Sequence, residues 1–264
     1  MLEFRKKHDK ILLITCVFLK LLIITAPVIV SATEGVYVAN SGTSSPGTVS
    51  VIETSTNTVV ATVTVGPTPR AVAITPNGLY AYVTNESSDT VSVIQTSTNT
   101  VVATVIVGGN PFGVEITPKG LYAYVTNATG SGTVSVIETS INMVVATVTV
   151  GSFPEGVAIT PNGLYAYVTN FGSDTVSIIE TSTNTVVATV TVGGSPEGVA
   201  ITPNGLYAYV ANKGGDTVSV IETSTNMVVA TVSVGSGPFG VAAPSLGVAQ
   251  AFKRFPLRNS RAPL

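Results

Sequence analysis

One motif that occurs five times constrains this chain more than any other feature of its sequence. The tripeptide Thr-Val-Ser begins at Thr48, Thr90, Thr133, Thr175 and Thr217, with spacings of 42, 43, 42 and 42 residues. A repeat of this length is one supersecondary unit, which buries its apolar faces against neighbouring copies. The sequence therefore predicts an array of five similar units packed side by side.

Each period contains four short segments with the two-residue alternation of β-strands. In the second period they are residues 72–75, 79–85, 90–96 and 100–108. They are rich in Val, Thr, Ile and Tyr, and turn sequences such as Pro-Asn-Gly separate them. Four antiparallel strands in each repeat predict an all-β protein, a β-propeller of five four-stranded blades.

The two ends of the array suggest how the ring closes. Residues 35–40 align with the second strand of a repeat, and residues 239–244 align with the first strand. We expect these N- and C-terminal strands to pair, because pairing completes the first blade and hides its open edge. The propeller domain then spans residues 33–244.

Residues 1–32 have the pattern of a secretory signal peptide. A basic segment precedes the apolar stretch 11–30, and small residues follow, so that cleavage is expected after Ala32. An uncleaved membrane anchor is the alternative, since such a stretch is long enough to span a bilayer, but Lys20 interrupts it. Both interpretations predict a protein that is exported to the cell surface or the extracellular space.

The charges are unevenly distributed along the chain. Residues 33–244 contain three basic residues against twelve acidic ones, so this part would repel a nucleic acid. Residues 245–264 belong to no repeat and carry four basic residues. This segment is either a basic tail or a sign that the chain is a fragment of a longer array.

Cysteine and histidine are confined to the first segment, as Cys16 and His8, and the chain has no Trp. After cleavage the protein could form no disulfide, no Cys/His zinc site and no Ser-His-Asp triad within one chain. We therefore expect no catalytic residue, no metal site and no cofactor.

The repeats differ from one another mainly in two loops, the one before the first strand and the one after the second. In a four-stranded meander both loops lie at the same end of the blade, and we call this end of the propeller the variable face. The residues at the start of the first strand, one from each repeat, would together surround the mouth of the central channel on this face. The candidate binding residues at this position are Arg70, Phe112, Glu155, Glu197 and Phe239. The alternative is that they are unconstrained loop residues.

Further candidates lie near this position. Glu115 replaces the alanine of other first strands and is expected to face the channel, and Phe153 and Phe171 are aromatic residues of the variable loops. The sequons that begin at Asn85 and Asn127 predict glycosylation at these two residues.

The repeats resemble a known family. The segments YAYVTN at 80–85, 122–127 and 165–170, and YAYVAN at 207–212, are similar to the YVTN β-propeller repeat. The resemblance covers residues 35–243 and implies a propeller of the archaeal surface-layer or surface-antigen type, or of related secreted bacterial proteins. Members often carry seven blades, whereas five repeats are present here.

We interpret the protein as an exported, non-enzymatic module of the cell surface. Its expected partner is a protein or glycan of the cell envelope, or a second copy through self-assembly, and it would contact a membrane only through an uncleaved N-terminal segment. The alternative is a propeller enzyme with a site at the channel mouth, because similar propellers include metal-dependent lactonases and quinone-dependent dehydrogenases. The acidic residues available for such a site are Glu115, Glu155 and Glu197.

Overall fold

Nineteen β-strands and one 3-10 turn (Glu86–Ser88) account for the regular structure in residues 35–42 and 45–244, which are the residues that the computed structural model describes. The predicted signal peptide and the predicted basic tail lie outside the described residues. Within the described ranges, no helix has the length and apolar character needed to cross a membrane.

The strands form five antiparallel sheets, which we number as blades 1 to 5. Blade 1 contains β1 (Gly35–Asn40), β2 (Gly47–Glu53) and β3 (Thr58–Val65). Blade 2 contains β4 (Pro69–Ile74), β5 (Tyr80–Asn85), β6 (Thr90–Gln95) and β7 (Thr100–Ile106). Blade 3 contains β8 (Pro111–Ile116), β9 (Tyr122–Asn127), β10 (Thr133–Glu138) and β11 (Met143–Thr149). Blade 4 contains β12 (Pro154–Ile159), β13 (Tyr165–Asn170), β14 (Thr175–Glu180) and β15 (Thr185–Thr191). Blade 5 contains β16 (Pro196–Ile201), β17 (Tyr207–Asn212), β18 (Thr217–Glu222) and β19 (Met227–Ser233).

The first strands of blades 2 to 5 lie next to one another in chain order. Each of these inner strands also contacts the second strand of the preceding blade. The blades are therefore stacked face to face around a shared centre, as in a β-propeller. The prediction of an all-β propeller built from antiparallel blades is confirmed.

A complete first blade was also predicted, and this detail is wrong. Within the described residues blade 1 has three strands, and residues 239–244 form no strand with β1. Instead, the Phe239 carbonyl accepts a hydrogen bond from the Gly198 amide at 3.0 Å, so this segment lies beside β16. The segment thus follows blade 5 in the way that each inner strand follows the preceding blade, and it does not pair with β1.

Each blade packs on the next through two different faces. One face carries a tyrosine of the second strand with valines of the outer strands, and we call it the tyrosine face. Between blades 2 and 3 it is formed by Tyr82, Val91, Val93 and Val105, which are buried against blade 3. The opposite face carries Ala and Val of the second strand and Ile of the third strand. It also carries an Asn from the turn between the third and fourth strands. We call this second surface the asparagine face.

A hydrogen bond between the two faces recurs at every packed interface. The tyrosine hydroxyl donates to the side-chain oxygen of an Asn in the next blade, at 2.7–2.9 Å. The pairs are Tyr37 with Asn99, Tyr82 with Asn142, Tyr124 with Asn184, and Tyr167 with Asn226. Burial raises the pKa of Tyr82, Tyr124 and Tyr167 to about 12, so these hydroxyls remain donors at neutral pH.

We expect Tyr82→Phe to lower the free energy of unfolding by about 1 kcal/mol, because it leaves the half-buried Asn142 oxygen without its donor. Tyr209→Phe is the matched control, since Tyr209 occupies the same repeat position and its hydroxyl has no partner among the described residues. Urea denaturation of both variants at low protein concentration, where contacts between copies do not contribute, measures the difference. Equal losses would show that the hydroxyl bond does not stabilise the interface.

Candidate functional site

The two variable loops of each blade are joined by backbone hydrogen bonds. The Glu86 amide donates to the Thr68 carbonyl at 3.0 Å, and the Lys213 amide donates to the Ser195 carbonyl at 3.1 Å. Blades 3 and 4 have the equivalent bond. The loop before the first strand and the loop after the second therefore lie at the same end of the propeller and form one surface.

A cavity of about 460 Å³ opens on this surface. All five residues predicted to surround the channel mouth line it, and these are Arg70, Phe112, Glu155, Glu197 and Phe239. The walls are the starts of the inner strands and the segment beside β16, and Ser41 completes the lining. The sequence position chosen from the repeat alignment thus corresponds to one location in space.

Close approach of the inner strands shapes this cavity, and it requires glycine. A Cβ atom at Gly156 would collide with the backbone oxygen of Glu197 in the next inner strand. Gly113 and Gly198 meet the backbones of Glu155 and Phe239 in the same way. Because the backbones approach so closely, the residues that precede these glycines converge on one small volume.

Two of the five positions carry ion pairs of opposite polarity. In blade 2 the Arg70 guanidinium lies 2.7 Å from Glu86, and in blade 5 the Glu197 carboxylate lies 2.7 Å from the Lys213 ammonium. Both pairs join a residue at the start of the inner strand to the residue sixteen positions later. Glu197 is 4% exposed, so Lys213 neutralises a buried charge. The hydrogen bond to Glu197 raises the pKa of Lys213, and this group therefore stays protonated.

Glu155 has the same repeat position in blade 4 but no such partner, because Phe171 stands sixteen residues later. Partial burial raises the pKa of Glu155 to about 8, and its hydrogen bond to Glu197 and the negative charge of Glu197 add to this effect. Lys213 and Arg70 oppose the shift. At pH 7 the side chain is therefore mostly a neutral carboxylic acid, and its Oε2 atom is buried with no hydrogen-bond partner among the described residues.

Aromatic rings lie beside the two basic groups. The Arg70 guanidinium carbon is 5.5 Å from the centroid of the Phe112 ring, and the Lys213 ammonium is 5.3 Å from that of Phe239. Phe239 is 57% exposed, so most of its ring is available to a ligand. The cavity thus combines two aromatic walls, two ion pairs, and one carboxyl group that has no ion-pair partner among the described residues.

The other predicted residues lie outside the cavity lining. The centroid of the Phe171 ring lies 6.0 Å from the Lys213 ammonium. Phe153 is an exposed residue of the loop before β12. Glu115 is a half-buried residue of β8, and burial raises its pKa to about 7. Across the described part of the chain, no three His, Cys, Asp or Glu residues are grouped closely enough to hold a metal ion.

The predicted glycosylation of Asn85 and Asn127 is incompatible with the structure. Both side chains are fully buried, and each amide nitrogen donates to two hydroxyl groups of the neighbouring strand. Gly66 and Gly108 pack directly against them. These asparagines join the second and third strands of their blades, and the folded protein leaves no space for a glycan.

Glu86 and Lys213 lie in the loops that follow the second strands of blades 2 and 5, and neither was among the predicted site residues. A signal was present, because the start of the inner strand and the position sixteen residues later read Arg and Glu in blade 2 but Glu and Lys in blade 5. Opposite charges that exchange places between two copies of a repeat indicate that the two positions are in contact.

Comparison with known proteins gives a family. The family model described as "Lactonase, 7-bladed beta-propeller" matches residues 25–108 and 115–233, which is most of the chain. No curated protein matches the sequence. The resemblance to the YVTN type of propeller stays a prediction.

Solved structures with a similar fold include Kuenenia stuttgartiensis hydrazine synthase, at 21% identity and a TM-score of 0.55, which covers 74% of this chain and 83% of that one. Another is a functionally unknown protein from Desulfotomaculum acetoxidans DSM 771, at 22% identity and a TM-score of 0.67. That match covers 73% of this chain and 65% of the other. At these identities the similarity concerns the fold alone.

Proposed function

Since the chain belongs to the Lactonase, 7-bladed β-propeller family, we propose a function that uses the cavity at the centre of its blades. The protein is an exported, non-enzymatic module that binds a neutral polyhydroxyl ligand, such as a glycan of the cell envelope, at its variable face. The pattern of residues 1–32 supports export, and the resemblance to YVTN surface proteins supports an envelope role.

One observation carries the proposal, and it is the buried Oε2 atom of Glu155, which has no hydrogen-bond partner among the described residues and lies in a cavity with aromatic walls. With its pKa raised to about 8, this group is mostly neutral at pH 7 and carries one proton. Its Oε2 atom can accept a hydrogen bond from a ligand, and it can donate one when the proton is on that atom instead of shared with Glu197. A sugar hydroxyl is matched to such a group because it both donates and accepts. The apolar faces of sugar rings are matched to phenyl rings such as Phe112 and Phe239.

The charges in the cavity also favour a neutral ligand. Arg70 is neutralised by Glu86, and Lys213 is neutralised by Glu197. An anionic ligand would have to displace a carboxylate that is already in place. A cationic ligand would have to ionise Glu155, whose surroundings favour the protonated form.

Titration calorimetry can distinguish a site for neutral sugars from a site for cations. The two ligands to compare are the neutral N,N′-diacetylchitobiose and the cationic chitobiose. We expect the neutral sugar to bind and its affinity to fall as the pH rises through about 8, where Glu155 loses its proton. Glu155→Gln should retain binding, and Glu155→Ala should weaken it about tenfold, because one buried hydrogen bond is lost. Phe239→Ala should also weaken binding, because it removes an aromatic wall of the cavity. Phe153→Ala is its control and should retain binding, since Phe153 lies outside the cavity lining.

The opposite pattern would contradict the proposal. If only the cationic sugar binds, and Glu155→Gln abolishes this binding, then the site recognises a cation. If neither sugar binds under any of these conditions, the cavity is not a site for this class of glycan.

Lactone hydrolysis is a second candidate, because the family is described as a lactonase family and the cavity holds two adjacent carboxyl groups. A protonated Glu155 could polarise a lactone carbonyl while the Glu197 carboxylate accepts a proton from water. A pH-stat assay with glucono-δ-lactone tests this, since each ring opening at pH 7 releases one proton. We expect no rate above the uncatalysed background, and hydrolysis that Glu155→Ala abolishes would replace the binding proposal.

A further inference from the structure

The tyrosine face of blade 5 is uncovered in the described part of the chain. Its Tyr209 is only half-buried, whereas Tyr82, Tyr124 and Tyr167 at the same repeat position are fully buried. Its Val232 is 47% exposed, whereas Val105 in blade 2 is 5% exposed. This face carries the residues that pack on a following blade in every other interface, and no described blade packs on it.

The asparagine face of blade 1 is uncovered as well. Val36 and Val38 are 49% and 40% exposed, whereas Ala81 and Val83 at the same positions in blade 2 are fully buried. Asn57 is exposed, although its counterparts in the other four blades accept the tyrosine hydroxyl. Blade 1 therefore presents the surface that a tyrosine face is built to contact.

The backbone at the two ends is complementary in the same way. Blade 1 lacks an inner strand within the described residues, while the segment 239–244 lies beside β16 where the inner strand of a following blade would begin. This segment packs loosely, because Ala243 stands where the repeat has Ile, and a cavity of about 220 Å³ remains next to Tyr209. One end thus offers a segment in the position of an inner strand, and the other offers a blade that lacks its inner strand among the described residues.

We propose that the two ends join between molecules, so that copies of this chain assemble head to tail. Segment 239–244 of one copy completes the blade 1 sheet of the next, and the hydroxyl of Tyr209 donates to Asn57 of the second copy. The occupant is a second copy because the two faces match in sequence and yet do not meet within the chain. Such an interface is heterologous, so each bound copy leaves one free end of each kind and assembly can continue.

The register of the joined strands follows from the repeat. Val199 faces Val210 in blade 5, and Val157 faces Val168 in blade 4. At the same repeat positions, Val241 of one copy should face Val38 of the next. This pairing gives the interface a position that can be tested residue by residue.

Light scattering on the full-length chain over a range of concentrations tests the assembly. We expect the mean mass to rise above that of the monomer as the concentration increases. Val38→Lys should block the blade 1 end and Val232→Lys the blade 5 end, so each variant alone should be monomeric. Because each retains the end that the other lacks, a mixture should form a 1:1 dimer of twice the monomer mass.

A matched control is Val102→Lys in blade 2, which is 49% exposed but lies on neither end face. It should assemble like the wild type, which shows that added charge is not what prevents assembly. A wild type that stays monomeric at every concentration would overturn the proposal. Blocked variants that still assemble alone would overturn it too, since they would be using another surface.

Cysteine cross-linking distinguishes joining between chains from closure within one chain. In a Cys16→Ser background, Val38→Cys and Val241→Cys place two thiols at facing positions of the proposed strand pair. We expect a ladder of covalent oligomers on a non-reducing gel. A single cross-linked monomer would mean that the chain closes on itself, and the head-to-tail interface would then be rejected.

Discussion

Gly156→Ala is expected to lower the free energy of unfolding by about 3 kcal/mol. The added methyl group would collide with the backbone oxygen of Glu197, and a backbone atom held in two paired strands cannot move aside as a flexible side chain can. Relief of the collision requires the inner strands of blades 4 and 5 to separate. That separation would disrupt the bond from the Thr169 hydroxyl to the Glu197 carbonyl, at 2.6 Å.

The chain contains its own control for this substitution. Gly240 occupies the same repeat position, but no atom lies within 4 Å of a Cβ placed there. Gly240→Ala should therefore change the stability by less than about 0.5 kcal/mol. Urea denaturation of both variants gives the comparison, and equal effects would show that the close approach of the inner strands does not explain the glycine.

The strands could be predicted from the sequence because turn chemistry and alternation recur in every copy. The expected segment 90–96 corresponds to β6 (Thr90–Gln95), and 79–85 corresponds to β5 (Tyr80–Asn85). The start of β4 was placed at residue 72 instead of Pro69. A register irregularity between Pro69 and Val72 breaks the alternation there, so the pattern could not reveal the first residues of the strand.

The uncovered end blades could not be predicted from the repeat. A repeat specifies how one blade packs on the next, because its buried residues contact only neighbouring copies. Whether blade 5 also meets blade 1 depends on the rotation between blades summed over the ring, which is a property of three-dimensional packing. The alignment gave 239–244 the correct repeat position, beside β16, but could not show that β1 lies elsewhere.

The location of the site residues could be predicted from the sequence, because the repeat fixes their position in space. Properties that depend on burial could not be predicted in this way. The five positions at the start of the inner strand lie around one cavity, as the alignment implied. In contrast, the sequons at Asn85 and Asn127 are typical of surface loops, yet both side chains are buried and bonded between strands. The raised pKa of Glu155 also depends on burial, which the sequence does not show.

The ionisation of Glu155 should make the protein less stable as the pH rises. The pKa of Glu155 is raised from 4.5 to about 8 in the folded protein, so between these values the folded state holds a proton that the unfolded chain has lost. Stability falls with increasing pH wherever the folded state binds more protons. The loss therefore begins near pH 4.5 and is complete above about pH 8.

Glu155→Gln should remove this part of the pH dependence, because glutamine resembles the protonated acid at every pH. We expect the variant to match the wild type at pH 5 and to be more stable by about 2 kcal/mol at pH 9, a value reduced for the partial solvent exposure of the site. Burial also raises the pKa of Glu115, so some decline with pH should remain in this variant and should diminish further in the Glu115→Gln, Glu155→Gln double variant. Urea denaturation at pH 5, 7 and 9 measures these differences. A Glu155→Gln curve parallel to that of the wild type would show that Glu155 ionises normally and that the cavity holds no neutral carboxylic acid at pH 7.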